Sequence, residues 1–184
     1  MFLNLGCGLN KIVGAVNVDC AAACVPDIVW DLEDTPWPFE SGCADRVALI
    51  HVLEHLGETT AGFMAIMKEL YRVCAPGAEI KIVVPHPRSD HFLGDPTHVR
   101  PINPDMMALF SKESNRRWAA EHRANSPLGL YCDVDFTLVG YQYALMPHWA
   151  EKHENGLIGE QDLKEAIATY NNVVSEITIM MERV

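Results

Sequence analysis

Residues 46–53 read Arg-Val-Ala-Leu-Ile-His-Val-Leu, with apolar side chains at consecutive rather than alternate positions. A strand with one face in water alternates. A short run this continuous is the pattern of a parallel strand buried on both faces. Parallel strands need crossover connections, so the run commits the chain to an α/β sheet. Residues 2–5, 15–19, 27–31 and 80–84 are further short apolar runs, the last closed by Pro85. Residues 58–74 repeat instead with helical period. Phe63, Met67, Leu70 and Cys74 share one stripe, Lys68 and Glu69 lie off it, and Pro76-Gly77 ends the helix.

The last third has a different pattern. Val134, Phe136 and Leu138 alternate with Asp135 and Thr137, and Ile177, Ile179 and Met181 alternate with Glu176, Thr178 and Glu182. Alternation suits half-exposed antiparallel strands. Residues 146–173 between them are too many for a tight turn and hold an amphipathic helix marked by Leu163, Ala166, Ile167 and Tyr170. Asn103-Pro104-Asp105 is a helix start, with Asn as cap and Pro in the first turn, and helical character continues with interruptions to about residue 125. The fold expected is an open, Rossmann-like, mostly parallel sheet with a C-terminal antiparallel strand pair. Only residues 9–14 separate Gly8 from the second strand. A parallel crossover takes roughly 10–12 residues or more, so the first crossover helix is expected to be shortened or absent.

A chain of 184 residues fits one domain, and 49% hydrophobic residues exclude a disordered linker. The net charge of −11 repels a phosphate backbone, so no nucleic-acid groove is expected. The six cysteines form no CxxC pair and lack the density of a secreted disulfide scaffold. Cys20 and Cys24 read as buried thiols rather than as half of a zinc site. No apolar run reaches the ~18–20 residues of a membrane helix, and the first residues lack a basic leader pattern. The expectation is a cytoplasmic domain with no membrane partner.

The chemistry begins at Gly6-Cys7-Gly8, where a strand runs into two residues without Cβ and lets the backbone approach a ligand closely. Asp19 ends the next strand, placed to accept hydrogen bonds from the hydroxyls of a ribose. Asp31-Leu32 follows the third strand, placed for an adenine amino group. Gly-x-Gly alone also suits a plain tight turn, and Lys11 stands where a nicotinamide fold needs Gly or Ala.

The ordered set Leu3-Asn4-Leu5-Gly6-Cys7-Gly8, Asn17-Val18-Asp19, Asp31-Leu32, Pro36-Trp37-Pro38-Phe39, His51-Val52-Leu53-Glu54-His55 and Leu70-Tyr71-Arg72-Val73-Cys74-Ala75-Pro76-Gly77 resembles the class I S-adenosylmethionine-dependent methyltransferases. The likeness is greatest to the small group related to methyltransferase type 11. The resemblance runs to about residue 85 and implies a cofactor-binding half over residues 1–85 and an acceptor side over residues 86–184 of one domain. It implies S-adenosylmethionine as cofactor, with Gly6 and Gly8 at the methionine part, Asp19 at the ribose, Asp31 and Leu32 at the adenine, and His51 near the sulfonium. Two positions depart from the pattern: Asn4 replaces the usual acid and Asn10 the usual third glycine.

The acceptor is expected against the stretch after Val84, where Pro85-His86-Pro87, His91, Asp95-Pro96-Thr97-His98 and Arg100 gather groups that titrate near neutral pH. His98, Asp95 and His86 are the candidate catalytic residues, as bases or as groups that orient the acceptor. Asp95-Pro96-Thr97-His98 equally serves to turn and cap the chain. The His and Asp types here also suit a metal, but no HExxH-like helical spacing supports one, and no metal ligands are assigned. Glu54 and His55 suit capping or packing as well as catalysis. Arg116, Arg117, His122 and Arg123 read as a solvated helix face, or as contacts for an anionic acceptor. The expected acceptor is a small molecule or glycan, with a protein side chain next. No Asn/Asp-Pro-Pro-aromatic signature points to DNA bases. The rival reading is a catalytically silent S-adenosylmethionine-binding protein or partner subunit, with a metal-dependent hydrolase a distant third.

Overall fold

The computed structural model describes residues 1–184. Its first half contains β1 (Phe2–Leu5), β2 (Val16–Asp19), β3 (Ile28–Val29), β4 (Ala44–Ile50), α1 (Thr60–Val73) and β5 (Cys74–Pro85). Four short helices follow: α2 (Asp90–Leu93), α3 (Pro104–Ala108), α4 (Lys112–Ala120) and α5 (Leu128–Cys132). The chain closes with β6 (Phe136–Leu145), α6 (Pro147–Glu154), α7 (Glu160–Thr169) and β7 (Val174–Arg183). The seven strands form one sheet in the order β3-β2-β1-β4-β5-β7-β6. β1 to β5 pair in parallel, while β7 runs antiparallel to both β5 and β6. This is the mostly parallel sheet with a C-terminal antiparallel pair that the sequence predicts. No helix is long and apolar enough to cross a membrane.

The first crossover contains no helix, as its length requires. Side-chain amides hold it instead. Asn4, 2% exposed, donates to the Asn10 carbonyl at 3.1 Å and to Asn17 Oδ1 at 2.9 Å. Asn17 in turn accepts the Ile12 N–H at 2.8 Å and donates to Asp27 Oδ2 at 2.9 Å. Asn4 therefore faces the crossover rather than a ligand. The next crossover has only a 3-10 turn at Ala22–Cys24.

Missing helices leave the sheet one-sided. Leu3, Leu5, Val47, Leu49, Ile80, Ile82, Ile177 and Ile179 are buried in one continuous core with Phe63, Ile66, Met67 and Leu70 of α1. The residues between them lie on the other face. Arg46 registers with Phe2 and Glu79, and Lys81 with Ala48 and Met180. Arg46, Glu79 and Lys81 on that face are exposed. The expectation that residues 46–53 are buried on both faces is thus corrected: no helix returns across the second face. The strand also ends earlier, at Ile50, because His51 adopts φ +54° and turns the chain.

Local signals account for most other boundaries. Thr59 caps α1 by accepting the Gly62 N–H, and the Asn103 side chain accepts the Met106 N–H at 2.8 Å ahead of Pro104. Such caps contribute about 1 kcal/mol each. Cys74 leaves the helical stripe and instead opens β5, paired with Ala44. The stretch after Pro85 contains α2, capped by the Ser89 side chain accepting the His91 N–H.

Candidate active site

Two cavities open at the C-terminal ends of the parallel strands. The first, of about 310 Å³, is bordered by Gly6, Gly8, Asp19, Asp31, Leu32 and His51. The structure therefore brings together all the residues that the resemblance implies for the cofactor. Gly6 sits at φ +68°, and a Cβ there would lie 2.2 Å from Val52 Cγ2. Gly8 has φ +49° and open space beside it, so its requirement is conformational. Asp19 Oδ2 accepts the Gly8 N–H at 2.7 Å and Oδ1 accepts the Ala21 N–H at 2.8 Å. This anchoring role is not visible in the sequence. Asp31 Oδ1 accepts the Glu33 N–H at 3.0 Å. Trp30, Cys20 and Val52 also line the cavity, a role the sequence does not give them. Position next to Asp31 is the one signal that could have found Trp30.

The second cavity, of about 400 Å³, is bordered by His51, Glu54, His55, His91, Asp95, His98 and Glu176, among others, so most of its lining residues carry polar or titratable groups. A clamp builds it. The Glu54 carbonyl accepts the Val99 and Arg100 N–H groups at 2.9 and 3.2 Å. Arg100 donates to the Gly57 carbonyl at 2.7 Å and lies over the Phe63 ring at 4.5 Å. His98 is thereby set beside His55, ring centroids 4.6 Å apart, and stacks on Phe92. Asp95 accepts the Thr97 hydroxyl at 2.6 Å and the Thr97 N–H at 2.8 Å, which hold its carboxyl below the usual range. Its other oxygen lies 3.9 Å from His98 Nε2.

Of the candidate catalytic residues, His98 and Asp95 reach this cavity and His86 does not border it. His86 Nδ1 accepts the Arg88 N–H at 3.2 Å, and the ring packs edge-on against Tyr143. Burial, with the Arg88 charge behind it, lowers its pKa. Arg116, Arg117, His122 and Arg123 border neither cavity. Cys20 is exposed and Cys24 half-buried, which corrects the reading of both as buried thiols.

His51 stands at the junction and borders both cavities, as does His55. Its backbone N–H donates to the Val83 carbonyl at 2.8 Å, and its left-handed backbone aims the ring between the cavities. Nε2 lies 2.8 Å from Glu176 Oε2, and Nδ1 lies 3.5 Å from Glu54 Oε1. Glu54 foremost, with Glu176, raises the His51 pKa against the opposing effect of burial. Glu176 comes from β7, far along the chain, and nothing in its local sequence marks it. Glu54 is fully buried, yet neither carboxylate oxygen has a hydrogen-bond partner.

No family model and no curated protein matches the chain. Solved structures do. A SAM-dependent methyltransferase from Archaeoglobus fulgidus has TM-score 0.63 at 16% identity, covering 99% of this chain and 85% of that one. A SAM-dependent methyltransferase from Methanosarcina mazei has TM-score 0.58 at 12% identity, covering 100% and 92%. The [4+2]-cyclase SpnF has TM-score 0.54 at 15% identity, covering 99% and 74%. Likeness at such identity concerns architecture rather than reaction. The chain has the class I S-adenosylmethionine-dependent methyltransferase fold.

Proposed function

We propose that this chain is an S-adenosylmethionine-dependent methyltransferase of the type 11-like group, working in the cytoplasm on a polar small molecule or glycan. One observation carries the reading: His51 and His55 border both cavities, so a donor in the first would face an acceptor in the second. The residues of the first cavity fit the cofactor. Bare backbone at Gly6 and Gly8 admits the methionine part, Asp19 and Asp31 are acceptors for ribose hydroxyls and the adenine amine, and Trp30 and Leu32 offer apolar surface to the base. The polar second cavity favours an acceptor with hydroxyl or amine groups over an apolar one.

Bound cofactor supplies an electrophilic methyl group on a cationic sulfur. The protein's part is alignment of the acceptor and transfer of its proton. His98 and Asp95 orient the acceptor, and the hydrogen-bonded His51–Glu176 pair is the proton-accepting group next to both cavities. Calorimetry with S-adenosylmethionine and its demethylated product should give saturable binding of both. Labelled cofactor should then mark a component of a polar metabolite or glycan extract. Binding without transfer to any small-molecule, glycan or protein acceptor would favour the silent binding protein, and no binding would overturn both readings.

A further inference from the structure

We propose that Glu54, His55 and His98 form a binding site for a divalent transition-metal ion in the wall of the second cavity. One ligand-capable atom from each residue lies within 4.8 Å of those of the other two. The three converge because the Val99 and Arg100 N–H groups dock on the Glu54 carbonyl, which brings His98 from a distant segment onto His55.

Glu54 supplies the second, independent observation. It is fully buried, both side-chain oxygens lack a hydrogen-bond partner, and it borders the cavity. The nearest cationic group is His51 Nδ1 at 3.5 Å, beyond ordinary hydrogen-bond length. A carboxylate shut away from water and faced only by the distant His51 ring is costly, and a cation between it and the two imidazoles lowers that cost.

Both imidazoles are prepared for the task. The Phe92 carbonyl lies 2.8 Å from His98 Nδ1, so that nitrogen carries the proton and donates it, leaving the lone pair on Nε2. His55 Nδ1 lies 3.0 Å from Thr97 Oγ1 and 3.3 Å from the Thr97 carbonyl. The Thr97 hydroxyl donates to Asp95, so it accepts from His55 and fixes the same tautomer. Partners of this type, a backbone carbonyl and a carboxylate acting through a hydroxyl, are those that orient metal-binding histidines.

Two imidazoles with one carboxylate suit zinc, cobalt(II), iron(II) or nickel(II) better than magnesium or calcium, which take all-oxygen sets. Three protein ligands leave coordination positions open toward the cavity for an oxygen of water or of an acceptor. The sequence marks the histidine-rich stretch that holds His98 but not this set, because Glu54 and His55 share no local spacing with it. The site goes beyond the methyl-transfer reading and does not depend on it.

The test is metal binding by the full chain after chelation, with cobalt(II) and zinc as probes and no methyl donor present. Wild type should bind about one equivalent, with a cobalt(II) spectrum free of thiolate charge transfer. Changing an orienting partner of a metal ligand weakens binding by roughly 10–100-fold, so Thr97→Val should do so, and His98→Ala and His55→Ala should lose more. Glu54→Gln keeps the side-chain shape. It should raise the metal-free Tm while abolishing the rise that metal gives to wild type. Absence of binding at millimolar metal, unchanged affinity in His98→Ala, or a thiolate band that disappears in Cys20→Ser would each overturn the site.

Discussion

Asp19 accepts the Gly8 N–H at 2.7 Å, so the carboxylate proposed to meet the ribose also holds the glycine turn in place. Loss of Asp19 therefore acts twice. Asp19→Ala should lower S-adenosylmethionine affinity ~30-fold or more, about 2 kcal/mol, and also loosen the turn. Calorimetry reads the first effect and amide exchange at residues 6–10 the second. Unchanged affinity would mean that the first cavity is not the donor site.

Gly6→Ala places a methyl group 2.2 Å from Val52 Cγ2 and keeps the strained φ of +68°. The variant should lose about 1–3 kcal/mol of stability. Adding Val52→Ala removes the Cγ contacts but leaves the Cβ of residue 52 at 2.7 Å and the backbone strain, so denaturant melts of the double variant should recover only part of the loss.

Asn4→Asp would restore the acid usual at this position of the glycine motif. Here it should be harmful. Asn4 is buried and donates to two oxygens, the Asn10 carbonyl and Asn17 Oδ1, so a carboxylate would set acceptor against acceptor. Thermal and urea melts should show a loss of about 1–3 kcal/mol, with no gain in cofactor affinity.

Glu69 gives a pH-dependent contribution. Burial raises its pKa, but hydrogen bonds from Arg72 and the Trp37 N–H, with the Arg72 charge, outweigh burial and hold it below the ordinary value. A depressed folded pKa means that the contribution is fully present above the unfolded value of about 4.3. It is lost as pH falls through the folded value. Glu69→Gln should cost about 1–3 kcal/mol at neutral pH, and the gap from wild type should close below about pH 4 in urea melts.

Addition of S-adenosylmethionine should raise the Tm, because a ligand bound only by the native state stabilises it by mass action. NAD at equal concentration should not. A shift with NAD alone would contradict the assignment of the first cavity.

Residues acting near their own place in the chain were legible in the sequence. Gly6 and Gly8 follow β1, Asp19 ends β2 and Asp31 follows β3, and the cap at Asn103 and the stripe through Phe63, Met67 and Leu70 follow from local pattern. What could not be read depends on register or on returning chain. Glu176 reaches His51 only because β7 pairs Glu176 with Pro85, and Glu54 meets His98 only through the docking of Val99 and Arg100. The continuous run in β4 misleads for a related reason. Ala48 is small enough to be buried beside Lys81 and Met180 with no helix above it, so apolar character at that position did not report a second covering layer.

The helix-free crossovers also set how the molecule opens. β3 has only two residues, β2 makes short ladders with β1 and β3, and the crossovers flanking β2 hold side-chain amides and a single 3-10 turn in place of helices, whereas β4, β5 and β7 form long ladders over the core. Stability differs between such regions, and the edge with fewest buried contacts unfolds locally first. Backbone amides between Gly6 and Asp31 should therefore exchange with solvent sooner than those of β5. A ligand seated against both ends of that segment would act as a brace across the frayed edge, slowing exchange throughout it and not only at the atoms it touches.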